Sequence, residues 1–242
     1  MVRSGIEGRM TTTREPRASG RFWREWVRPL GTTALLVFGL RSAVADWNDV
    51  PTGSMRPSIL VGDRVFVNRL AYDLKVPFTT WHVAEWAAPE RGDVVVFYSP
   101  ADGKRLVKRV VGVPGDEIAM RGNRLVLNGE EIECGPPAQR MAAGIPEAEL
   151  PRRVLAEEQL PGRPHPVMAM TDRMARRDFD AVRVPEGHYF MMGDSRDDSF
   201  DSRFFGVVPR RSILGRATAV VASMDPERHY APRWSRWFSP MP

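Results

Sequence analysis

Only three of the thirty-five basic side chains in this 242-residue chain are lysines, Lys75, Lys104 and Lys108, and there is a single cysteine, Cys134. One cysteine excludes an intrachain disulfide and a cysteine-rich zinc site, and the four histidines show no metal-ligand spacing. A mechanism without metal or cofactor is therefore expected. The cysteine count does not fix the compartment, since an exported domain can lack disulfides.

A basic face is missing too. Residues 1–28 hold seven Arg and three Glu, so this arm supplies +4 of the formal net charge of +5 and leaves the remainder at +1. With no recognised binding motif in the body, no nucleic-acid partner is expected. There is no solenoid-type repeat. The G-x-S-x-G elbow and the strand–helix alternation of an α/β-hydrolase are also absent. A His-based triad stays formally open, because four histidines are available. Wholesale disorder is excluded by a 43% apolar and 27% charged composition, which suits one or two domains with a real core.

Ile6-Glu-Gly-Arg9 before Met10 reads as a protease-site scar, so residues 1–9 are set aside, the natural start is expected at Met10, and 10–28 form a basic arm. Pro29 to Ala45 is an apolar run broken by Arg41 that would span roughly 25 Å as a helix. We expect a transmembrane helix over 29–46. Trp23 and Trp26 suit the interface, Arg24 and Arg28 the cytoplasmic side, and Arg41 would snorkel outward. The positive-inside rule then places the body outside the cytoplasm. Two alternatives fit the uncharged stretch Pro29–Leu40: a buried core helix, or a cleaved export signal with its site around Ala43 and Ala45.

From Leu60 the pattern becomes short β-prone runs between turn residues: Arg64–Val67, Asp93–Tyr98, Arg109–Val111, Glu117–Met120, Leu125–Leu127, His188–Met192 and Ala217–Ala222. Arg121-Gly-Asn123 and Asn128-Gly129 read as turns. The body is expected to be mainly antiparallel β, with a catalytic domain over 47–132 plus 185–225 and a tail over 226–242. Residues 133–184, with prolines, Arg pairs and little apolar periodicity, read as an inserted subdomain.

Lys108 sits in the apolar run Leu106-Val-Lys-Arg-Val-Val111, where a desolvated ammonium can lose its proton and a guanidinium cannot. To act as a base at neutral pH its pKa has to fall from ~10.4 by roughly 3, which corresponds to about 4 kcal/mol. Its expected partner is Ser54 in Val50-Pro-Thr-Gly-Ser-Met-Arg-Pro-Ser58, where Gly53 allows close backbone approach. Taken singly, each residue has a plainer explanation: a strand lysine facing solvent, and a turn or helix-cap serine.

A third segment, Phe190–Gly206, packs small polar and charged residues between two apolar runs. Within it Ser199 is expected to hydrogen-bond the Lys108 amine, and Asp201 with Arg203 to form an ion pair that fixes the loop. The plain alternative is a solvated acidic turn.

Together these segments resemble the type I signal peptidases, membrane-bound Ser/Lys proteases that remove signal peptides from exported preproteins. The resemblance runs through Pro51–Ser58, Gly92–Phe97, Lys108–Asp116, Gly193–Arg203 and Gly215–Ala219, in the family's order and separation. It implies an antiparallel β-sheet catalytic domain with a smaller inserted subdomain, preceded by one N-terminal transmembrane helix. It also implies Ser54 as nucleophile, Lys108 as general base, Ser199 as the hydroxyl positioning the lysine, and an oxyanion hole from the Ser54 N–H and the Thr52 hydroxyl. The sequence departs from the family pattern at Thr52, usually Ser, at Ser195, more often Asn, and at Ser58, commonly Thr.

The partners so implied are preproteins with signal peptides, cut after small-X-small sites, and membrane lipid, with export machinery as a further candidate. Lipid contact is also implied for Trp234-Ser-Arg-Trp-Phe238, for which an aromatic packing cluster is the alternative. The implied location is the bacterial inner membrane, single-pass, with a cytoplasmic N-terminus. Rival readings are a Ser/Lys peptidase dedicated to a conjugation or secretion system, and a non-catalytic membrane-anchored binder of exported chains, which would not need a neutral lysine. Self-cleaving repressors share the dyad, but the arm is too short for their DNA-binding domain.

Overall fold

A computed structural model describes residues 22–76, 79, 81–137 and 145–241, without the side chains of 35, 36, 38 and 40–42. The expected scar, most of the basic arm and the Arg41 side chain lie outside this description. Two units are distinguished, residues 1–40 and 41–242.

In the first, a π-helical turn over Trp23–Val27 runs into α1 (Arg28–Val44, 17 residues), which continues past the unit's end at Leu40. Trp23, Trp26, Leu30 and Val37 are exposed. Among the described residues no helix is long and apolar enough to cross a membrane. The helix also stops short of the expected boundary at 46. Ala45 and Asp46 belong instead to β1 (Ala45–Asp49), whose residues all pair with β2 (Asp63–Asn68), from Ala45 opposite Asn68 to Asp49 opposite Arg64.

The second unit is antiparallel β in every pairing between its strands. After β2 come β3 (Asp73–Lys75), β4 (His82–Glu85), β5 (Val94–Tyr98) and β6 (Arg105–Gly112). These are followed by β7 (Glu117–Arg121), β8 (Arg124–Leu127), β9 (Glu130–Glu131) and β10 (Cys134–Gly135). Next are β11 (Arg153–Glu158), β12 (His165–Met170), β13 (Phe179–Arg183), β14 (His188–Met192) and β15 (Val208–Pro209). The chain closes with β16 (Ile213–Asp225), β17 (Ala231–Pro232) and β18 (Ser239–Pro240).

The main sheet has the order β1-β2-β16-β5-β6-β14-β15, with β17 and β18 also pairing to β16. Its strands follow from side-chain pattern. In β2, Val65 and Val67 point into the core and Arg64 outward, whereas β5 is buried from Val94 to Phe97, as a central strand covered on both faces must be. The long β16 curls the sheet, with register shifts against β2 at Ala217/Ala219 and Val220/Ala222. Gly215 is needed on β16 because a Cβ there would lie 2.5 Å from the Asn68 carbonyl oxygen.

Two-residue turns at Gly122-Asn123 and Asn128-Gly129, all four with positive φ, close the β7–β8 and β8–β9 hairpins. Residues 133–184 do not form one separate sheet. β10, β11 and β12 make a three-stranded sheet, but β13 pairs with β7 to complete a four-stranded β13-β7-β8-β9. Phe179 of β13 stacks on Phe190 of β14 at 5.5 Å between ring centroids, within the apolar cluster that also holds Ile118, Met120 and Leu125. The tail returns to the sheet through β17 and β18, and Arg236 reaches the Asp63 carboxylate at 2.6 Å.

Candidate active site

Ser54 lies in the turn segment 50–62 between β1 and β2. That turn is held at its ends by the Val50 N–H to the Asp63 carbonyl (2.9 Å) and the Gly62 N–H to the Val50 carbonyl (3.0 Å), and from beneath by buried Met55 and Ile59. Lys108 is in the middle of β6, opposite Val95 of β5, and only 3% exposed. Its Nζ donates to Ser54 Oγ at 2.5 Å, joining residues 54 positions apart. Burial pushes the Lys108 pKa down to about 8; the carboxylates of Asp201, Asp194 and Asp198 pull it back up, and Arg203 pushes it lower.

The Gly193–Arg203 segment closes the site from the other side. The Ser195 N–H donates to the Ser54 carbonyl (3.1 Å), and the Gly193 N–H to Asp201 Oδ2 (3.0 Å). Asp201 caps the short α2 (Ser202–Phe205) by accepting from the Arg203 N–H, and it takes both arms of the Arg203 guanidinium at 2.8 Å. Burial alone would raise the Asp201 pKa, but this pairing holds it below the ordinary carboxylate range.

Ser199 lines the same cavity, but the expected hydrogen bond to Lys108 is not formed: its Oγ is buried without a hydrogen-bond partner. It contributes to keeping Asp201 acidic without reaching full hydrogen-bond geometry, so the Asp201–Arg203 pair is the firmer contact. The lysine amine contacts Ser54 instead. Thr52 is exposed and lines the mouth beside Ser54. Ser195, where an amide is more usual, leaves its buried Oγ without a partner.

The cavity over Ser54 and Lys108 has a volume of about 460 Å³ and is also walled by Leu106, Met174, Phe200 and Phe204. Sequence reasoning missed Met174 and its neighbours Arg173 and Arg176, which line this cavity from the 133–184 segment. It also missed Arg109, the residue after Lys108. This guanidinium is 1% exposed and pairs with Asp194 through Nε (2.9 Å) and Nη2 (2.8 Å). A second cation inside the apolar run of β6 was the available signal. Ser58 Oγ donates to the same Asp194 carboxylate.

Asp73, His82 and Glu85 bring potential metal-ligand atoms within 4.8 Å of one another. Lys75 and Arg210 already pair with the Asp73 carboxylate, so its charge is answered by side chains, and none of these residues lines the Ser54 cavity. 

Gly193 has to lack a side chain. A Cβ there would collide with Ser199 Oγ and with the Ser54 carbonyl oxygen. Gly193→Ala is expected to cost about 1–3 kcal/mol of stability and to lower kcat about tenfold or more by displacing the Ser54 turn. Urea denaturation and steady-state kinetics check the two effects separately.

The profile of the family described as signal peptidase, peptidase S26, matches residues 23–222. The chain belongs to this family. It is 36% identical over 214 residues to the signal peptidase I of Pseudomonas fluorescens, covering 83% of this chain and 73% of the relative. The signal peptidase I of Pseudomonas aeruginosa gives the same identity and the same coverage. A crystal structure of a signal peptidase I from Enterococcus faecalis is similar at 28% identity with a TM-score of 0.34, over 54% of this chain and 97% of that one. The chain is accordingly a type I signal peptidase, a hydrolase that removes signal peptides from preproteins.

Proposed function

We propose that this signal peptidase is a membrane-anchored serine endopeptidase in which Ser54 is the nucleophile and Lys108 the general base. The observation that carries the reading is the 2.5 Å contact between a lysine amine of pKa about 8 and the Ser54 hydroxyl. At neutral pH about a tenth of such amines are uncharged, against roughly one in 2,500 for an ordinary lysine. A non-catalytic binder has no use for that difference.

In the proposed reaction neutral Lys108 takes the Ser54 proton as Oγ attacks the carbonyl of the residue before the cut. The Ser54 N–H and the Thr52 hydroxyl donate to the developing oxyanion. Thr keeps the donor of the more usual Ser, and its branched Cβ restricts the rotamer. Collapse breaks the C–N bond, the lysine ammonium protonates the leaving amine, and an ester on Ser54 remains. Lys108 then activates water to release the signal peptide. Ser199 holds the amine in line once substrate is bound, and Asp201 with Arg203 keeps the loop in place. Substrates with small side chains one and three residues before the cut complete the reading.

For the anchor, we place the N-terminus on the cytoplasmic side and the catalytic body on the outer face of the bacterial inner membrane, with lipid as a partner. The exposed Trp23 and Trp26, the flanking Arg24 and Arg28, and the uncharged Pro29–Leu40 support it.

The test is cleavage of a preprotein with a small-X-small site, in detergent or lipid, by the parent and by Ser54→Ala. We expect one cut at that site by the parent and none by the folded variant. An active Ser54→Ala would overturn the choice of nucleophile, and an inactive parent would favour a dedicated substrate over a general one.

A further inference from the structure

The β10–β12 sheet, whose purpose the sequence did not disclose, grips the loop that meets Ser54. We propose that Glu158, at the end of β11, is a positioning residue for the Ser54 reaction, acting through Arg196 and the loop that carries it. The inference rests on Ser54 being the nucleophile.

Glu158 and Arg196 are both essentially inaccessible, and their pairing is bidentate: Arg196 Nη1 donates to Oε1 at 2.7 Å and Nη2 to Oε2 at 2.6 Å. Such a fork fixes the plane and the distance of the guanidinium together. A buried pair of this kind is a weak source of stability compared with apolar residues of the same volume. What it supplies is one fixed geometry for the backbone at 196.

Contacts on either side of Arg196 run to the same small sheet. The Met168 N–H donates to the Asp194 carbonyl at 2.8 Å, and Met168 and Ser195 form an isolated parallel bridge. The Met170 N–H donates to Asp197 Oδ2 at 2.8 Å, and Arg177 Nη2, from the chain just after β12, pairs with the same oxygen at 3.0 Å. Between these fastenings the Ser195 N–H donates to the Ser54 carbonyl. From Glu158 to the nucleophile there is thus an unbroken series: carboxylate, guanidinium, the backbone from Arg196 back to the Ser195 N–H, and a hydrogen bond to Ser54.

His165 of β12 backs the pair, with Nε2 3.4 Å from Glu158 Oε2 and 4.0 Å from Asp194 Oδ1. Burial, together with the nearby Arg109 charge, pushes its pKa down to about 4. The ring is therefore neutral wherever Lys108 titrates and adds no charge beside the Glu158–Arg196 pair over that range.

The test compares the full chain with Glu158→Gln and Arg177→Met on a preprotein substrate, each assayed well below its own melting temperature, with Ser54→Ala as the blank. Glu158→Gln keeps the side-chain shape but replaces one acceptor with a donor facing the guanidinium. A positioning role predicts that kcat falls about tenfold or more while KM stays within about twofold, because transition-state alignment rather than uniform binding is lost. A kcat equal to the parent's in a folded Glu158→Gln overturns the proposal, as does a loss confined to KM. Where Glu158→Gln does not fold, Arg177→Met decides, since that side chain is 40% exposed. A several-fold fall in kcat at constant KM supports the proposal, and an unchanged kcat overturns it. Activity in the Ser54→Ala blank would instead condemn the assignment of the nucleophile.

Discussion

Lys108→Arg is expected to be as inactive as Lys108→Met, with kcat/KM down about 100- to 10,000-fold, the range a positioned general base contributes. Arginine keeps the charge and most of the reach but does not give up its proton at any accessible pH, so it offers Ser54 no base. A merely electrostatic lysine would be replaced by arginine at small cost. For the parent, kcat/KM should rise with pH through about 8, the value to which burial has lowered the Lys108 pKa. A rate profile that is flat across pH 7–9 would count against Lys108 as the base.

Removing the same lysine is expected to raise stability although it abolishes activity. Its folded pKa of about 8 lies below the ~10.4 of an unfolded chain, so between these values the unfolded state binds more protons and stability rises with pH. Below pH 8 the full penalty for the buried ammonium is present, roughly 3 kcal/mol. Lys108→Met fills similar space without charge. It is expected to be more stable than the parent at pH 7 by up to about that amount, with the advantage shrinking toward pH 10. Urea denaturation at the two pH values measures it. A residue that destabilises the fold and is required for the reaction fits a functional site better than a structural one.

What the sequence disclosed and what it hid differ by how each residue is buried. β5 was legible because Val94, Val95 and Val96 are consecutive buried valines, β6 because Val110 and Val111 lie in its buried run, and the β7–β8–β9 hairpins because Gly122-Asn123 and Asn128-Gly129 allow few conformations other than tight turns. β1 was hidden because Ala45 continues the apolar run of α1 without a break, while Asp46, Asn48 and Asp49 argue against a strand. Only its pairing with β2 decides it. β11 and β13 were hidden because neither alternates cleanly: β11 is partly buried along most of its length, and β13 buries only Phe179.

At the site, Lys108 stood out by chemistry, a lysine in an arginine-rich chain. Its proximity to Ser54 depends on the β5–β6 register and the 54-residue separation, which local pattern does not encode. The reach of Ser199 was legible only as an option. The amine contacts Ser54, and the Ser199 Oγ is buried without a hydrogen-bond partner.

Arg109→Met is expected to destabilise the protein by about 3–5 kcal/mol at pH 7, although it removes no residue from the proposed reaction. Arg109 and Asp194 are each 1% exposed, and the guanidinium also donates to the Gly92 carbonyl (2.8 Å) and to Ser58 Oγ (3.2 Å). Burial by itself raises the Asp194 pKa; the Arg109 charge and hydrogen bonds, assisted by His165 and Ser58, more than reverse this and hold it below the ordinary carboxylate range. In the parent that depression contributes stability above the usual carboxylate pKa, lost only as pH falls through the lowered value. Remove Arg109 and the sign inverts: burial dominates, the Asp194 pKa rises, and the folded variant gains by taking up a proton. The deficit relative to the parent should therefore shrink between pH 7 and pH 5, and Arg109→Met combined with Asp194→Asn should recover part of it at pH 7. Urea denaturation of the two variants at both pH values checks this. An equal deficit at both, with no recovery in the double variant, would mean that Arg109 holds the β5–β6–β14 junction by packing its side chain rather than by answering the Asp194 charge.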